Sequence, residues 1–146
     1  MINVKIKALR EGVQLPAYAT EGSAAVDLRY SGDKPLEIAP GERTLVPTGI
    51  AIAPETKDVA AILCARSGLA SKRGLTLSNG IGVIDSDYRG EIMVGLQNSG
   101  DTDYTVQPAD RIAQLMITPV VQATVSMVEE LDDTARGTGG FGSTGK

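Results

Sequence analysis

Val59-Ala60-Ala61-Ile62-Leu63-Cys64-Ala65 runs without a charge into Arg66-Ser67-Gly68-Leu69-Ala70-Ser71-Lys72-Arg73-Gly74. The apolar part is too short for a long helix and reads as a strand that ends where the short helix begins. Ser67 to Arg73 is the single helix candidate of the chain, short and closed by Gly74 as a C-cap. The same rhythm continues on either side. Residues 2–9 alternate, and apolar segments recur at 24–28, 36–39, 44–53, 58–65, 81–84, 91–98, 103–106, 111–118 and 123–128. Pro40-Gly41, Asn79-Gly80, Ser99-Gly100 and Pro108 mark turns, and with 17 Gly and 7 Pro no long helix has room. The pattern predicts an all-β sandwich, jelly roll or barrel with one short helix.

At 146 residues, with 42% hydrophobic and 22% charged side chains, the chain can bury one core and is a single globular domain. No internal repeat is visible. The sequence contains no histidine, which excludes His-based triads, imidazole proton shuttles and His-containing zinc sites. The one cysteine, Cys64, can form no internal disulfide and reads as a packed thiol inside its apolar run rather than a nucleophile. A net charge of −4 and a pI of about 4.8 oppose a nucleic-acid-coating role. No apolar stretch approaches the roughly 20 residues of a membrane span, and the alternating start is no signal-peptide core, so the expected compartment is the cytoplasm.

Five clusters carry chemical potential. Arg66-Ser67-Gly68 joins a guanidinium, a hydroxyl and helix-start amides, which suits a phosphate, although an ordinary Ser N-cap beside a surface Arg has the same residues. Gly82-Val83-Ile84-Asp85-Ser86-Asp87-Tyr88-Arg89-Gly90 is an acidic turn between two apolar strands. It reads as hairpin chemistry, or as the source of a carboxylate base, because with no histidine any general base is Asp or Glu. Ser23-Ala24-Ala25-Val26-Asp27-Leu28 and Asp110-Arg111-Ile112-Ala113-Gln114-Leu115 are each amphipathic strands with ion-pairing residues. The end of the chain, Arg136-Gly137-Thr138-Gly139-Gly140-Phe141-Gly142-Ser143-Thr144-Gly145-Lys146, reads by composition as a disordered terminus. It satisfies G-x-G-x-x-G and approaches a P-loop, yet the strand and helix those motifs need are missing. An Arg, the only Phe and a Ser-Thr pair among glycines would also suit a flap over a phosphorylated aromatic ligand.

In this order the five clusters resemble the five motifs of the trimeric dUTPases, the deoxyuridine triphosphate nucleotidohydrolases. The resemblance spans residues 23–145. It rests above all on Arg66-Ser67-Gly68-Leu69-Ala70, the acidic turn through Tyr88, and the tail from Arg136 to Gly145. One departure is Ala25, where the first motif of the family carries Gly.

The resemblance implies a jelly-roll-like β-barrel (a β-clip) over residues 1–130. Residues 131–146 would form a Gly-rich arm that closes over a neighbouring active site of a homotrimer. It implies Mg²⁺-dependent hydrolysis of dUTP to dUMP and pyrophosphate, which keeps uracil out of DNA and supplies dUMP for thymidylate synthesis, with no nucleic-acid or membrane partner. Asp85 would be the general base, orienting water toward the α-phosphorus and holding the 3′-hydroxyl. Asn79, with the backbone around Val83 and Ile84, would read the uracil edge. Tyr88 would lie under the deoxyribose, and Met93 would border that pocket. Arg66, Ser67, Gly68 and Gln114 would bind phosphate oxygens, while Asp27 would meet Mg²⁺ through water. Arg136 would reach the γ-phosphate, Phe141 would stack on uracil, and Gly142, Ser143 and Thr144 would complete the wrap. The nearest alternative, a dCTP deaminase on the same fold, would need a catalytic Arg and Glu pattern that is not seen here. A catalytically silent nucleotide-sensing barrel would have no use for both Asp85 and the complete tail.

Overall fold

The computed structural model describes residues 2–140. Eleven strands and one helix succeed one another in chain order: β1 (Val4–Ala8), β2 (Val26–Arg29), β3 (Leu36–Ile38), β4 (Arg43–Pro47), β5 (Ile50–Pro54), β6 (Val59–Cys64), α1 (Ser67–Arg73), β7 (Leu75–Leu77), β8 (Gly82–Ile84), β9 (Met93–Asn98), β10 (Tyr104–Val106) and β11 (Arg111–Pro119). The apolar run at 59–65 is indeed a strand, and it is central. β6 pairs antiparallel with β11 from Gln114 opposite Cys64 to Pro119 opposite Val59. β2 flanks β11 and β8 flanks β6, giving the order β2-β11-β6-β8. Three smaller sheets, β4-β9-β7, β1-β5 and β10-β3, surround the same core. All seven pairings among the described residues are antiparallel, and the four sheets do not join into one closed ring.

Alternation along a half-buried strand decides what faces inward. On β9, Val94, Leu96 and Asn98 are buried while Met93 points out. Val94 and Leu96 join Leu28, Ile38, Ile50, Leu75, Ile92 and Ile112 in one hydrophobic cluster, in which each fully buried Leu or Ile contributes about 1.5–3 kcal/mol. Asn98 is the polar exception and is fully satisfied. Its amide donates to the Ile38 and Thr102 carbonyls at 2.8 Å, and its Oδ1 accepts from the Gly100 amide at 2.9 Å, so it pins the turn after β9 without an orphaned dipole.

The structure corrects three expectations. The segment 44–53 is two strands, because Gly49 takes a left-handed φ of +71° and turns the chain between β4 and β5. A side chain at Gly49 would also press on Val13 and Ser31. The segment 123–128 forms no strand. Its alternating pattern stands exposed from Val121 to Leu131, with no partner strand among the described residues to complete a ladder. Conversely β7, only three residues long, is too short for periodicity to reveal. The helix ends as expected, with Gly74 at φ +70° and its amide on the Ala70 and Leu69 carbonyls. Its N-cap is Arg66, without a side-chain cap, so Ser67 is not the capping residue.

Candidate active site

The four-stranded sheet gathers the separated clusters. Asp27 on β2 lies opposite Gln114 on β11, and Gln114 lies opposite Cys64 on β6, two residues before Arg66. Arg66 reaches back across the sheet. Its Nε donates to Asp27 Oδ1 at 3.0 Å, and its Nη1 donates to the Arg111 carbonyl at 3.2 Å. Arg111 completes the group by donating from Nη1 to Asp27 Oδ2 at 3.1 Å. One carboxylate therefore holds two guanidinium groups, and Arg66 keeps further N–H donors for an anion. Ser67 and Gly68 are exposed at the start of α1, beside this group in sequence. Asp27 and Gln114 also line a cavity of about 240 Å³ with Ser23, Ala24 and Ala25. Ala25 keeps a negative φ, so the residue that departs from the motif needs no glycine backbone.

The second half of the site is the connection from β8 to β9, which is not the hairpin the acidic turn suggests, because β8 pairs with β6 while β9 pairs with β4 and β7 in another sheet. A cleft of about 250 Å³ is lined by Leu63, Asn79, Gly82, Val83, Ile84, Asp85, Tyr88, Glu91, Ile92 and Met93. Gly82 lets β8 press against β6, since a Cβ there would stand 2.9 Å from that of Leu63. Asp85 comes directly after β8 and is exposed at the rim, with its carbonyl accepting the Tyr88 amide at 3.1 Å. The Tyr88 hydroxyl donates to the Glu91 carbonyl at 3.0 Å. Arg89 folds back on the turn and donates from Nη1 to the Ser86 and Tyr88 carbonyls at 2.7 and 2.9 Å. Asp85 and Asp87 share the acidic turn, and among the described residues no three His, Cys, Asp or Glu side chains converge as a metal cage.

The structure thus brings Asn79, Val83, Ile84, Asp85, Tyr88 and Met93 around one cleft, and Asp27, Arg66 and Gln114 onto one sheet. Arg136 joins neither group. It sits on an exposed turn where the Gly137 amide donates to the Thr134 carbonyl at 3.0 Å. Phe141, Gly142, Ser143 and Thr144 lie outside the described residues. Cys64 is free and half-buried at the last residue of β6, rather than packed in the core as the apolar run suggests.

Three residues at the site are not evident from the sequence. Arg111 belongs to the amphipathic run from Asp110 to Leu115, where nothing local identifies Asp27 as its partner. Glu91 and Arg10 form a bidentate ion pair, with Arg10 Nη2 to Glu91 Oε2 at 2.8 Å across a sequence separation of 81. The Arg10 guanidinium and the Gly49 amide hold the Glu91 carboxyl below its ordinary range, against the smaller opposing effect of desolvation. The same pairing raises the pKa of Arg10. No local signal links residues so far apart.

Known proteins match this architecture. The family model for dUTPase matches residues 11–145. The deoxyuridine 5′-triphosphate nucleotidohydrolase of Leptothrix cholodnii is 54% identical over 145 residues, covering 99% of this chain and 97% of the relative. A dUTPase mutant of Staphylococcus bacteriophage 80alpha, solved with dUpNHpp, superposes with a TM-score of 0.89 at 23% identity over 99% of both chains. A mutant dUTPase from phage phi11 of S. aureus, solved for the coordination of a structural Mg(II) ion, superposes with a TM-score of 0.80 at 20% identity, covering 90% of this chain and 99% of that one. The two phage proteins speak for the fold, and the bacterial relative together with the family model speaks for descent: the chain belongs to the dUTPase family.

Proposed function

We infer that this chain hydrolyses dUTP to dUMP and pyrophosphate, with Mg²⁺ on the triphosphate, and that it does so as a homotrimer. The observation that carries the reading is the cleft at the β8–β9 connection, where the exposed Asp85 carboxylate stands at the rim of a pocket of about 250 Å³ beside Tyr88 and Asn79. Such a pocket suits a base and sugar, while the Arg66 group supplies donors for phosphates.

Asp85 is the general base. It accepts a proton from the attacking water, and its position beyond β8 lets it orient that water toward the α-phosphorus and hold the 3′-hydroxyl. Asn79 and the backbone at Val83 and Ile84 read the uracil edge. Tyr88 packs under the deoxyribose and leaves no room for a 2′-hydroxyl, and Met93 borders the pocket. Arg66, Ser67, Gly68 and Gln114 bind phosphate oxygens, and fixed donors at that place stabilise charge as it develops.

The carboxylates fit a metal that arrives on the triphosphate rather than one caged by the protein, since Asp27 is shared between two Arg and no three-ligand cluster exists among the described residues. Asp27 retains lone pairs for a metal-bound water. Mg²⁺ supplies charge neutralisation on the phosphates when it is present.

The trimer explains why Arg136 joins neither half of the site in its own chain. Arg136 and the wrap of Phe141, Gly142, Ser143 and Thr144 serve a neighbouring site, as an arm that begins at residue 131. The exposed apolar alternation from Val121 to Leu131 supports this reading, because it lacks a partner within the described residues of its own chain. No helix among the described residues is long and apolar enough to cross a membrane. We place the reaction in the cytoplasm, with no nucleic-acid or membrane partner.

The test is to incubate the purified protein with Mg²⁺ and, separately, dUTP, dCTP, dTTP and UTP, and to resolve products by anion exchange with a pyrophosphate assay. dUMP and pyrophosphate from dUTP alone are expected. Formation of dUTP from dCTP would make the protein a deaminase, and no product from any nucleotide would leave a binding module.

A further inference from the structure

Glu91 stands near the end of the connection from β8 to β9 and makes contacts that the proposed chemistry does not use. Its carboxylate takes both Arg10 donors, and its Oε1 also accepts the Gly49 amide at 2.7 Å. Arg10 is held in turn by donating from Nη1 to Ser31 Oγ at 2.7 Å. Two distant segments therefore converge on the Glu91 side chain, and a third, at Ser31, holds Arg10. The main-chain carbonyl of the same residue accepts the Tyr88 hydroxyl at 3.0 Å. Gly90 makes that contact available, because a Cβ there would stand 2.3 Å from the Tyr88 hydroxyl oxygen. The far end of the Tyr88 ring is thus set by where the backbone of Glu91 lies.

The next residue separates fold from fine placement. Ile92 is buried, its amide donates to the Ile50 carbonyl at 2.9 Å, and its carbonyl accepts the Thr48 hydroxyl at 2.7 Å. These contacts hold β9 to the core whether or not Glu91 is paired. The ion pair lies outside the core, with the Arg10 side chain 42% and that of Glu91 20% exposed. Loss of the pair leaves the core intact, and the Glu91 peptide is then held from its Ile92 side alone, which loosens the turn from 85 to 91.

We propose that Glu91, fastened by Arg10 and the Gly49 amide, is a positioning residue that holds Tyr88 against the sugar and so sets discrimination between deoxyribose and ribose. The proposal rests on the reading of Tyr88 as the residue that excludes a 2′-hydroxyl. A phenol fixed at both ends presents a wall, whereas one whose hydroxyl partner moves yields to an extra oxygen. Arg suits this task better than Lys because its planar fork fixes both carboxylate oxygens at once.

The experiment measures kcat/KM for dUTP and for UTP in wild type, Arg10→Ala, Arg10→Lys, Glu91→Ala, the Arg10→Ala/Glu91→Ala double variant and Tyr88→Ala. Trimer content and Tm are recorded for each. The dUTP-to-UTP ratio is expected to fall about tenfold in Arg10→Ala and in Glu91→Ala, no further in the double variant, and less in Arg10→Lys. A merely structural pair would lower Tm and leave the ratio of the folded trimer unchanged. If Tyr88→Ala collapses the ratio while Arg10→Ala and Glu91→Ala keep it within about twofold of wild type, the positioning role is overturned and the sugar reading stands. If Tyr88→Ala itself leaves the ratio unchanged, the sugar reading fails and the proposal falls with it.

Discussion

Asp27 accepts the Nε proton of Arg66 at 3.0 Å through one oxygen and a guanidinium proton of Arg111 at 3.1 Å through the other. A single carboxylate thereby holds two cations that would otherwise repel, Arg111 on β11 and Arg66 just beyond the end of β6, and it fixes the orientation of Arg66. Asp27→Ala should lower kcat/KM for dUTP by roughly 10- to 100-fold, the range typical of residues that orient a binding group. Steady-state kinetics check this, and a change under about twofold would show that Arg66 orients itself.

Asp85→Asn keeps the shape of the rim and removes the proton acceptor. Turnover is expected to fall by roughly 10²–10⁴-fold. Binding of the non-hydrolysable imido analogue, measured by calorimetry, should stay close to wild type. Near-normal turnover would remove Asp85 from the role of base.

Ala109 is the one described non-glycine residue with positive φ, at +67°, and Arg29 Nη1 holds its carbonyl at 2.8 Å. Left-handed backbone costs an alanine more than it costs glycine, so relief of strain should exceed the added chain entropy of the unfolded state. Ala109→Gly is expected to stabilise the protein by about 0.5–1 kcal/mol. Denaturant unfolding at fixed protomer concentration measures it. A loss of stability would show that the methyl group packs usefully.

The Glu91 carboxyl sits below its ordinary value of 4.5, chiefly through its bond from Arg10. A group depressed in the folded state adds stability that is fully present above the unfolded value and is lost as pH falls through the folded one. Wild type should therefore lose Tm more steeply than Glu91→Gln as pH drops below about 4.5. Thermal melts from neutral pH down to about pH 3.5 give the comparison. Parallel curves would mean that the pair adds nothing to acid stability.

The sequence by itself determined what depends on neighbours along the chain. An unbroken apolar run at 59–65 makes a strand, buried on both faces from Val59 to Ala61 and half-buried on one face at Ile62 and Cys64, a period of two along 93–98 chooses which side chains face the core, and Gly74 closes α1 in the left-handed conformation. The runs around Asp27, Arg66, Asp85 and Gln114 stood out through their order, which resembles the motifs of the family, whereas residue type alone left ordinary structural readings open for each. Tertiary structure decided whatever depends on which segments meet. The break at Thr48-Gly49 is fixed by the Thr48 bond to Ile92, 44 residues away. The Arg10–Glu91 tie spans 81 residues, and the sharing of Asp27 between Arg66 and Arg111 needs β2, β6 and β11 side by side. Residues 123–128 mark the boundary between the two: their alternation writes a strand, but a strand forms only where another edge is there to accept its hydrogen bonds.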